Sequence, residues 1–414
     1  MYKRKLPPAK ILKEEPPLVP ISQQRILVLT GTLGDGHNQA AGAIAEAAAR
    51  QYPDAVVRVV DFMQWTHPKT HSVGRFFYMQ GVKGLPSLYG YLYRATRDEN
   101  RLSGMFKQMR TFRSGRMMEL LEEFRPSVVV STFPPAAAAM SRLKTAGLTS
   151  VATVTVMTDY ARHSYWLHPG TDRYIVGSES IQRSLTELGI PAGAVSVTGM
   201  PVRFSFGRAY DRLELRRKHG LSPTLPVVLV MGGGDGLIGR RLLTLLDSAE
   251  DMPPAQYVFV CGRNEKLRRQ LEKRLEAMGG PHRILVTGFI DYVHELMAAA
   301  DVMVTKPGGL TVSEALSQEL PMILFKPIPG QEQENSAYLT RLGAAVEARS
   351  KSDLMRRLRQ VIAEDALRAR LRKNASLNKP EHGADRAVHA IIRMLGQSAE
   401  GADAAALRLA AAHA

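Results

Sequence analysis

Asp301 to Asn335 reads DVMVTKPGGLTVSEALSQELPMILFKPIPGQEQEN, and the order of its parts decides the fold. Asp301 to Thr305 is a short Val-rich apolar run, Lys306-Pro307-Gly308-Gly309 breaks it, and a helical pattern begins at Leu310. Strand, glycine turn and helix follow one another. Such a turn leaves backbone N–H groups unpaired at a helix N-terminus, where the peptide dipoles and Lys306 favour an anion such as phosphate. Four residues into the helix, Glu314 is placed to accept hydrogen bonds from a sugar diol. After the next apolar strand, Pro321 to Phe325, Pro329-Gly330-Gln331-Glu332 reads as a turn whose amide and carboxylate face the crevice where open α/β sheets bind ligands. From spacing alone, a plain βα turn with Glu314 on a solvated helix face accounts for the same letters, because KPGG by itself is a weak signal.

Outward from that stretch the chain has 414 residues, enough for two separate cores. Its single cysteine, Cys261, excludes a disulfide framework and disfavours a thiolate metal site. The formal charge of +16 suits a polyanionic partner, either nucleic acid or an anionic membrane surface. No run approaches the roughly 18 apolar residues that span a bilayer. The opening residues are basic but lack the apolar centre of a signal peptide, so a cytoplasmic protein is expected, with residues 1–21 a Pro- and Lys-rich disordered arm.

The first strand, Arg25 to Thr30, runs into Gly31-Thr32-Leu33-Gly34-Asp35-Gly36-His37 and then an Ala-rich helix. His37 therefore stands at a helix N-terminus, where the dipole opposes protonation and keeps a neutral imidazole able to take a proton from a hydroxyl. A surface histidine capping the turn is the other reading. Asp61 to Arg116 interleaves aromatics, among them Trp65, Phe76, Phe77 and Tyr89, with bases such as Arg94. An insert of this length and make-up fits a membrane surface. Core packing and single-stranded nucleic acid are its competitors. Asp159 and His163 lie in TDYARHSYWLH, whose spacing matches no common zinc motif. Gly199-Met200-Pro201-Val202-Arg203 punctuates a hinge, and Val227 to Met231 leads into a second glycine turn, where Gly233 lets backbone approach a ligand. Strands alternating with helices through both halves predict an α/β protein of two doubly wound, Rossmann-like parallel sheets facing across a cleft, the GT-B architecture. The expected domains are 22–200 and 201–380, with 381–414 holding a helix that crosses back and an Ala-rich tail.

The run from Gly288 to Asn335 resembles the donor-binding region of processive diacylglycerol glucosyltransferases and monogalactosyldiacylglycerol synthases, relatives of the lipid-linked N-acetylglucosaminyltransferase of peptidoglycan synthesis. The likeness rests on KPGG, then T-x-S-E-A, then KP-x-PGQE-x-EN, and it extends from about Arg25 to about Glu347. Gly34-Asp35-Gly36-His37 is similar to the family's G-x-G-H turn, TDYARHSYW to its T-D-F-x-x-H-x-x-W, PSLYGYLY to its Pro-x-x-Tyr segment and GMPVR to its G-x-P-x-R.

That resemblance implies an inverting hexosyltransferase, peripheral on the inner face of the cell membrane, moving a hexose from UDP-glucose or UDP-galactose to diacylglycerol or a glycosyldiacylglycerol. It implies His37 as base or orienting group, with Glu332 as the second residue of the reacting centre. Phe289 and Ile290 would meet uracil, Glu314 the ribose, and Gln331 and Glu332 the hexose. Gly233, Lys306, Gly308, Gly309, Leu310, Thr311 and Asn335 would complete the donor site. Gly36, Trp65, Phe76, Phe77, Tyr89, Arg94, Asp159 and His163 would form the acceptor and membrane side. No cofactor, obligatory metal or nucleic acid is implied. A UDP-N-acetylglucosamine transferase or epimerase, or a UDP-sugar sensor without turnover, remains the alternative.

Overall fold

The computed structural model describes residues 24–32, 34–68, 85–108, 114–236, 254–276 and 283–396. The basic arm, the Ala-rich tail, Phe76 and Phe77 lie outside them. Among the described residues twelve strands form two sheets of six. The first holds β1 (Arg25–Thr30), β2 (Val56–Asp61), β3 (Val128–Ser131), β4 (Ala152–Val156), β5 (Arg173–Val176) and β6 (Val195–Val197). The second holds β7 (Val227–Met231), β8 (Gln256–Val260), β9 (Arg283–Thr287), β10 (Val302–Thr305), β11 (Met322–Phe325) and β12 (Ala345–Ala348). Every pairing is parallel. Central strands of a parallel sheet are covered on both faces, which is why Ile26 to Leu29 and Val227 to Val230 are unbroken apolar runs and all buried.

Strand order is β2-β1-β3-β4-β5-β6 in the first sheet and β12-β11-β10-β7-β8-β9 in the second. The order reverses between β1 and β3, and again between β7 and β10. Open α/β sheets bind ligands beyond the strand C-termini at such switch points. The glycine turns leaving β1, β7 and β10 all stand there.

Five helices position the site. α1 (Asp35–Gln51) packs through Ala40, Ala43, Ala47 and Ile44. α2 (Pro86–Ala95) starts on a proline whose missing N–H costs nothing at a first helical turn. α3 (Gly309–Ser317) and α4 (Gln331–Leu342) follow β10 and β11, and α5 covers 383–396. Pro329 to Glu332 is not one turn. The reversal is confined to Gly330, whose φ of 115° and ψ of −130° suit glycine, and Gln331 and Glu332 already belong to α4.

The chain passes between the lobes twice. Gly199 has φ +81°, and a Cβ there would lie 2.7 Å from Pro380 Cβ; one on Gly383 would lie 2.4 Å from the Met200 carbonyl. The outgoing and returning segments are therefore pressed together. Beyond them α5 buries Ala387, Val388 and Ile391 against Ile26, Val28 and Val130, so the last described helix covers the first sheet.

Trp65 faces inward and not toward a membrane. Its Nε1 donates to the Arg116 carbonyl at 2.9 Å and its ring packs on the core beneath β1 and β3. The indole holds helix Ser114–Phe124 to the lobe, a task that leaves it little surface to offer lipid.

Candidate active site

The turns at the two switch points face each other across a cleft lined by Gly34 to His37, Thr158 and Asp159 from one lobe and by Gly232 to Asp235, Phe289, Ile290, Lys306, Gly308 to Thr311, Glu314 and Gln331 from the other. His37 is in the first turn of α1. Its Nδ1 lies 2.7 Å from the Thr132 carbonyl, which can only accept, so Nδ1 carries the proton and Nε2 keeps its lone pair. Burial pushes the imidazole down to about 4, against the Thr132 carbonyl, which favours the protonated ring. Desolvation keeps His37 neutral. Phe133 and Trp166 flank the ring at 5.3 and 6.1 Å between centroids.

Thr158 connects this histidine to the other lobe. Its Oγ1 is 3.2 Å from His37 Nδ1, while its carbonyl lies where a Cβ on Gly309 would intrude, at 2.1 Å. Gly309 opens α3. Gly308 gives that helix no side-chain cap, and the N–H groups of Gly309, Leu310 and Thr311 have no acceptor among the described residues. These are orphan donors at a positive helix end, the ingredients of an anion site. Glu314, one turn on, is 7% exposed and its carboxyl is pushed up to about 8 by burial; the Arg203 charge opposes that shift and Asp35 adds to it.

Lys306 lines the cleft with its Nζ 2.5 Å from Glu332 Oε1, and Glu332 Oε2 accepts from the Ile328 N–H at 2.9 Å. Each carboxylate oxygen accepts one of these bonds and the residue is buried outside the cleft lining. Glu332 is therefore the anchor of Lys306, not a group free to meet a hexose or a reacting hydroxyl. Asn335 likewise stands behind the cleft surface and not on it. It is fully buried, accepting from Tyr160 N at 2.7 Å and donating to Asp159 Oδ1 at 2.9 Å and the Pro307 carbonyl at 3.0 Å. Its amide fastens one lobe to the other, with both N–H groups engaged and no surface exposed to the cleft.

Gln331 does face the cleft, with its Oε1 held by the Tyr89 hydroxyl at 3.0 Å. Asp159 lines it too, its carboxyl raised to about 7 by burial against the Asn335 hydrogen bond. His163 is buried away from it. Its Nδ1 accepts from Tyr165 N at 3.2 Å and its Nε2 donates to the Tyr93 carbonyl at 3.0 Å, bolting the loop after β4 to α2. Arg94 is exposed on α2.

A family model described as monogalactosyldiacylglycerol (MGDG) synthase matches residues 37–202, and one described as glycosyl transferases group 1 matches residues 211–377. A processive diacylglycerol beta-glucosyltransferase of Bacillus subtilis (strain 168) is 30% identical over 363 residues, 85% of this chain and 91% of that protein. One of Bacillus cereus (strain AH187) is 31% identical over 365 residues, 87% of this chain and 92% of its own. The chain belongs to the processive diacylglycerol beta-glucosyltransferase family. It is a glycosyltransferase. MurG of Acinetobacter baumannii matches with a TM-score of 0.59 at 14% identity, covering 90% of this chain and 99% of that one. UGT71G1 of Medicago truncatula, complexed with UDP-glucose, matches at 0.58 and 13%, covering 91% and 99%. At those identities the likeness is one of fold, and the fold is GT-B.

In this glycosyltransferase, three residues at the cleft carry contacts that the sequence reading did not single out. Arg263 reaches from the second lobe to Asp35 Oδ1, 3.2 Å from its Nη1, and its guanidinium lies 4.4 Å from the centre of the Phe289 ring. Thr158 holds the geometry just described. Only the GDGH turn and the arginine after β8 signal the Asp35 pair, and nothing in their spacing joins them.

Proposed function

We propose that this cleft moves a hexose from UDP-glucose or UDP-galactose to the free hydroxyl of diacylglycerol, or of a sugar already attached to it, at a membrane surface. What carries the reading is the pairing, on either side of Thr158, of a neutral imidazole with an open lone pair and a helix N-terminus with three unpaired N–H groups.

The acceptor oxygen attacks the anomeric carbon while the bond from that carbon to the phosphate oxygen breaks. The hydroxyl proton passes to Nε2 of His37, and the bonding pair leaves with UDP. Charge grows on the departing diphosphate, where the N–H groups of Gly309, Leu310 and Thr311 and the Lys306 ammonium are fixed beforehand to meet it. Glu332 aims that ammonium. With these donors in place we propose that no divalent ion is obligatory. Phe289 and Ile290 border the base, Glu314 the ribose and Gln331 the hexose hydroxyls. A single displacement inverts the anomeric centre, which agrees with the β products in the relatives' names, nucleotide-linked glucose being α.

Support for the lipid side comes from the relatives' names and from the +16 charge. No helix among the described residues is long and apolar enough to cross a membrane. We place the protein peripherally, on the inner face.

Labelled UDP-glucose and UDP-galactose, incubated with diacylglycerol vesicles in EDTA and followed by chromatography of the lipids, test the whole reading. One of the two should yield glycolipid. His37→Gln should lower kcat by about 10²–10⁴ with UDP affinity kept. A parent that binds no UDP, or a His37→Gln variant at parental rate, sinks the reaction as written. Activity lost to EDTA and restored by Mg²⁺ would remove the metal-free step.

A further inference from the structure

α2 has two faces with different business. Leu85 at its N-cap, then Leu88, Tyr91 and Leu92, are large apolar residues exposed to solvent. At the helix's ~3.6-residue repeat they fall within one arc. Arg94 stands exposed on the same helix and Arg101 beyond it. On the nearly opposite arc Tyr89, Gly90 and Tyr93 press on the second lobe. The Tyr89 hydroxyl donates to Gln331 Oε1 at 3.0 Å. A Cβ on Gly90 would lie 2.4 Å from Pro329, and one on Gly330 would lie 2.9 Å from the Tyr93 ring. Just past the helix, Arg97 pairs with Glu334 at 3.1 Å. The reverse face of α2 thus rests on the segment from Pro329 to Glu334, which carries Gln331 into the cleft.

We infer that α2 is a relay between bilayer and donor site: its Leu85, Leu88, Tyr91 and Leu92 arc seats on an anionic lipid leaflet, and its Tyr89 then holds Gln331 in the pose that receives the hexose. An exposed apolar arc beside arginines on a chain of charge +16 complements a surface that is apolar within and negative outside. Fixing the Gln331 oxygen fixes the opposite end of the same planar amide, which is the donor a sugar hydroxyl would meet. Tyr89 is a positioning residue. The bilayer in this scheme does more than carry the acceptor; it is a partner that sets donor geometry. The inference rests on the UDP-hexose reading of the cleft, but its lipid half does not.

The test uses the full chain with UDP-glucose, or UDP-galactose if that proves the donor, and a water-soluble short-chain diacylglycerol. Rates are compared with and without acceptor-free vesicles of phosphatidylglycerol and phosphatidylcholine, and co-sedimentation is measured on the same vesicles. The parent should sediment with them and its KM for the nucleotide sugar should fall about fivefold, the size of one hydrogen bond's net contribution. Tyr89→Phe should sediment like the parent and show no fall. Leu88→Ser with Leu92→Ser, both surface changes, should lose sedimentation and the fall together, with an unaltered urea midpoint to show that the fold is intact. Turnover indifferent to vesicles, or a Tyr89→Phe variant that still responds, overturns the relay and leaves the transferase reading standing. A parent that fails to sediment, or is displaced from vesicles by RNA, overturns the lipid face. If turnover is absent in every arm, the donor reading fails and the relay fails with it.

Discussion

Glu314 is a carboxyl kept where a carboxylate is expensive. Burial lifts it from an ordinary 4.5 to about 8, so between those values the unfolded chain has released the proton and the folded chain has not. The folded state then binds more protons, and stability falls as pH rises through that window. Glu314→Gln removes the dependence. Its urea midpoint should match the parent near pH 4.5 and exceed it near pH 8.5, by on the order of 2–4 kcal/mol when converted to free energy. UDP affinity should drop in the same variant, the trade expected where a site is paid for in stability. A gap between variant and parent that does not widen with pH would show that the side chain is solvated. The place of Glu314 in the helix is legible in the letters, four residues after Leu310 where the helical pattern begins. Its protonation is not, because the neighbours that dry it come from two lobes, with Asp35 and Arg203 both near enough to act on it.

At the scale of the element, the N-terminus of α3 has two glycines with different reasons to be small. Gly308, at φ −69°, has only Lys306 Nζ at 3.6 Å and Thr311 Oγ1 at 4.0 Å near the place of a Cβ. Gly309 has the Thr158 carbonyl at 2.1 Å. Gly308→Ala should fold with the lobes undisturbed and lose UDP affinity, because only a bound phosphate needs that space. Gly309→Ala should force the lobes apart and cut kcat/KM by about 10²-fold, the loss that a displacement near 1 Å brings. Equal behaviour of the two variants in UDP titration and in turnover would refute the division. In the sequence both read as phosphate glycines, since one turn does not show the opposing chain. The start of α4 was obscured for a related reason. Pro329-Gly330 signals a turn so strongly that it draws in Gln331 and Glu332, although the acidic residues Glu332 and Glu334 mark a helix beginning. Asn335 has the right chemistry for a ligand, but its partners are Asp159 and Tyr160, in the other lobe.

Across the whole molecule, the alternation of strand and helix made both sheets legible, because buried parallel strands announce themselves as Val-rich runs. Strands β6 and β12 are not legible in it: VSV is three residues with a serine in the middle and AVEA carries a glutamate, so neither stands out as an apolar run. Ile391 is fully buried against Ile26, Val28 and Val130 from the opposite end of the chain. Ile391→Ala should destabilise the first lobe by about 2–4 kcal/mol. Tryptophan fluorescence reads that lobe, since the chain's two tryptophans, Trp65 and Trp166, both belong to it. A fluorescence midpoint unmoved in urea would mean that α5 is dispensable there. The same packing sets an order of events during synthesis. One face of the N-terminal sheet leaves the ribosome well before 383–396, and at ~5–20 residues per second the wait is on the order of tens of seconds. For that interval Ile26, Val28 and Val130 have α1 on them but not α5, so a nascent chain of this protein is a client for whatever in the cell shields sticky surfaces.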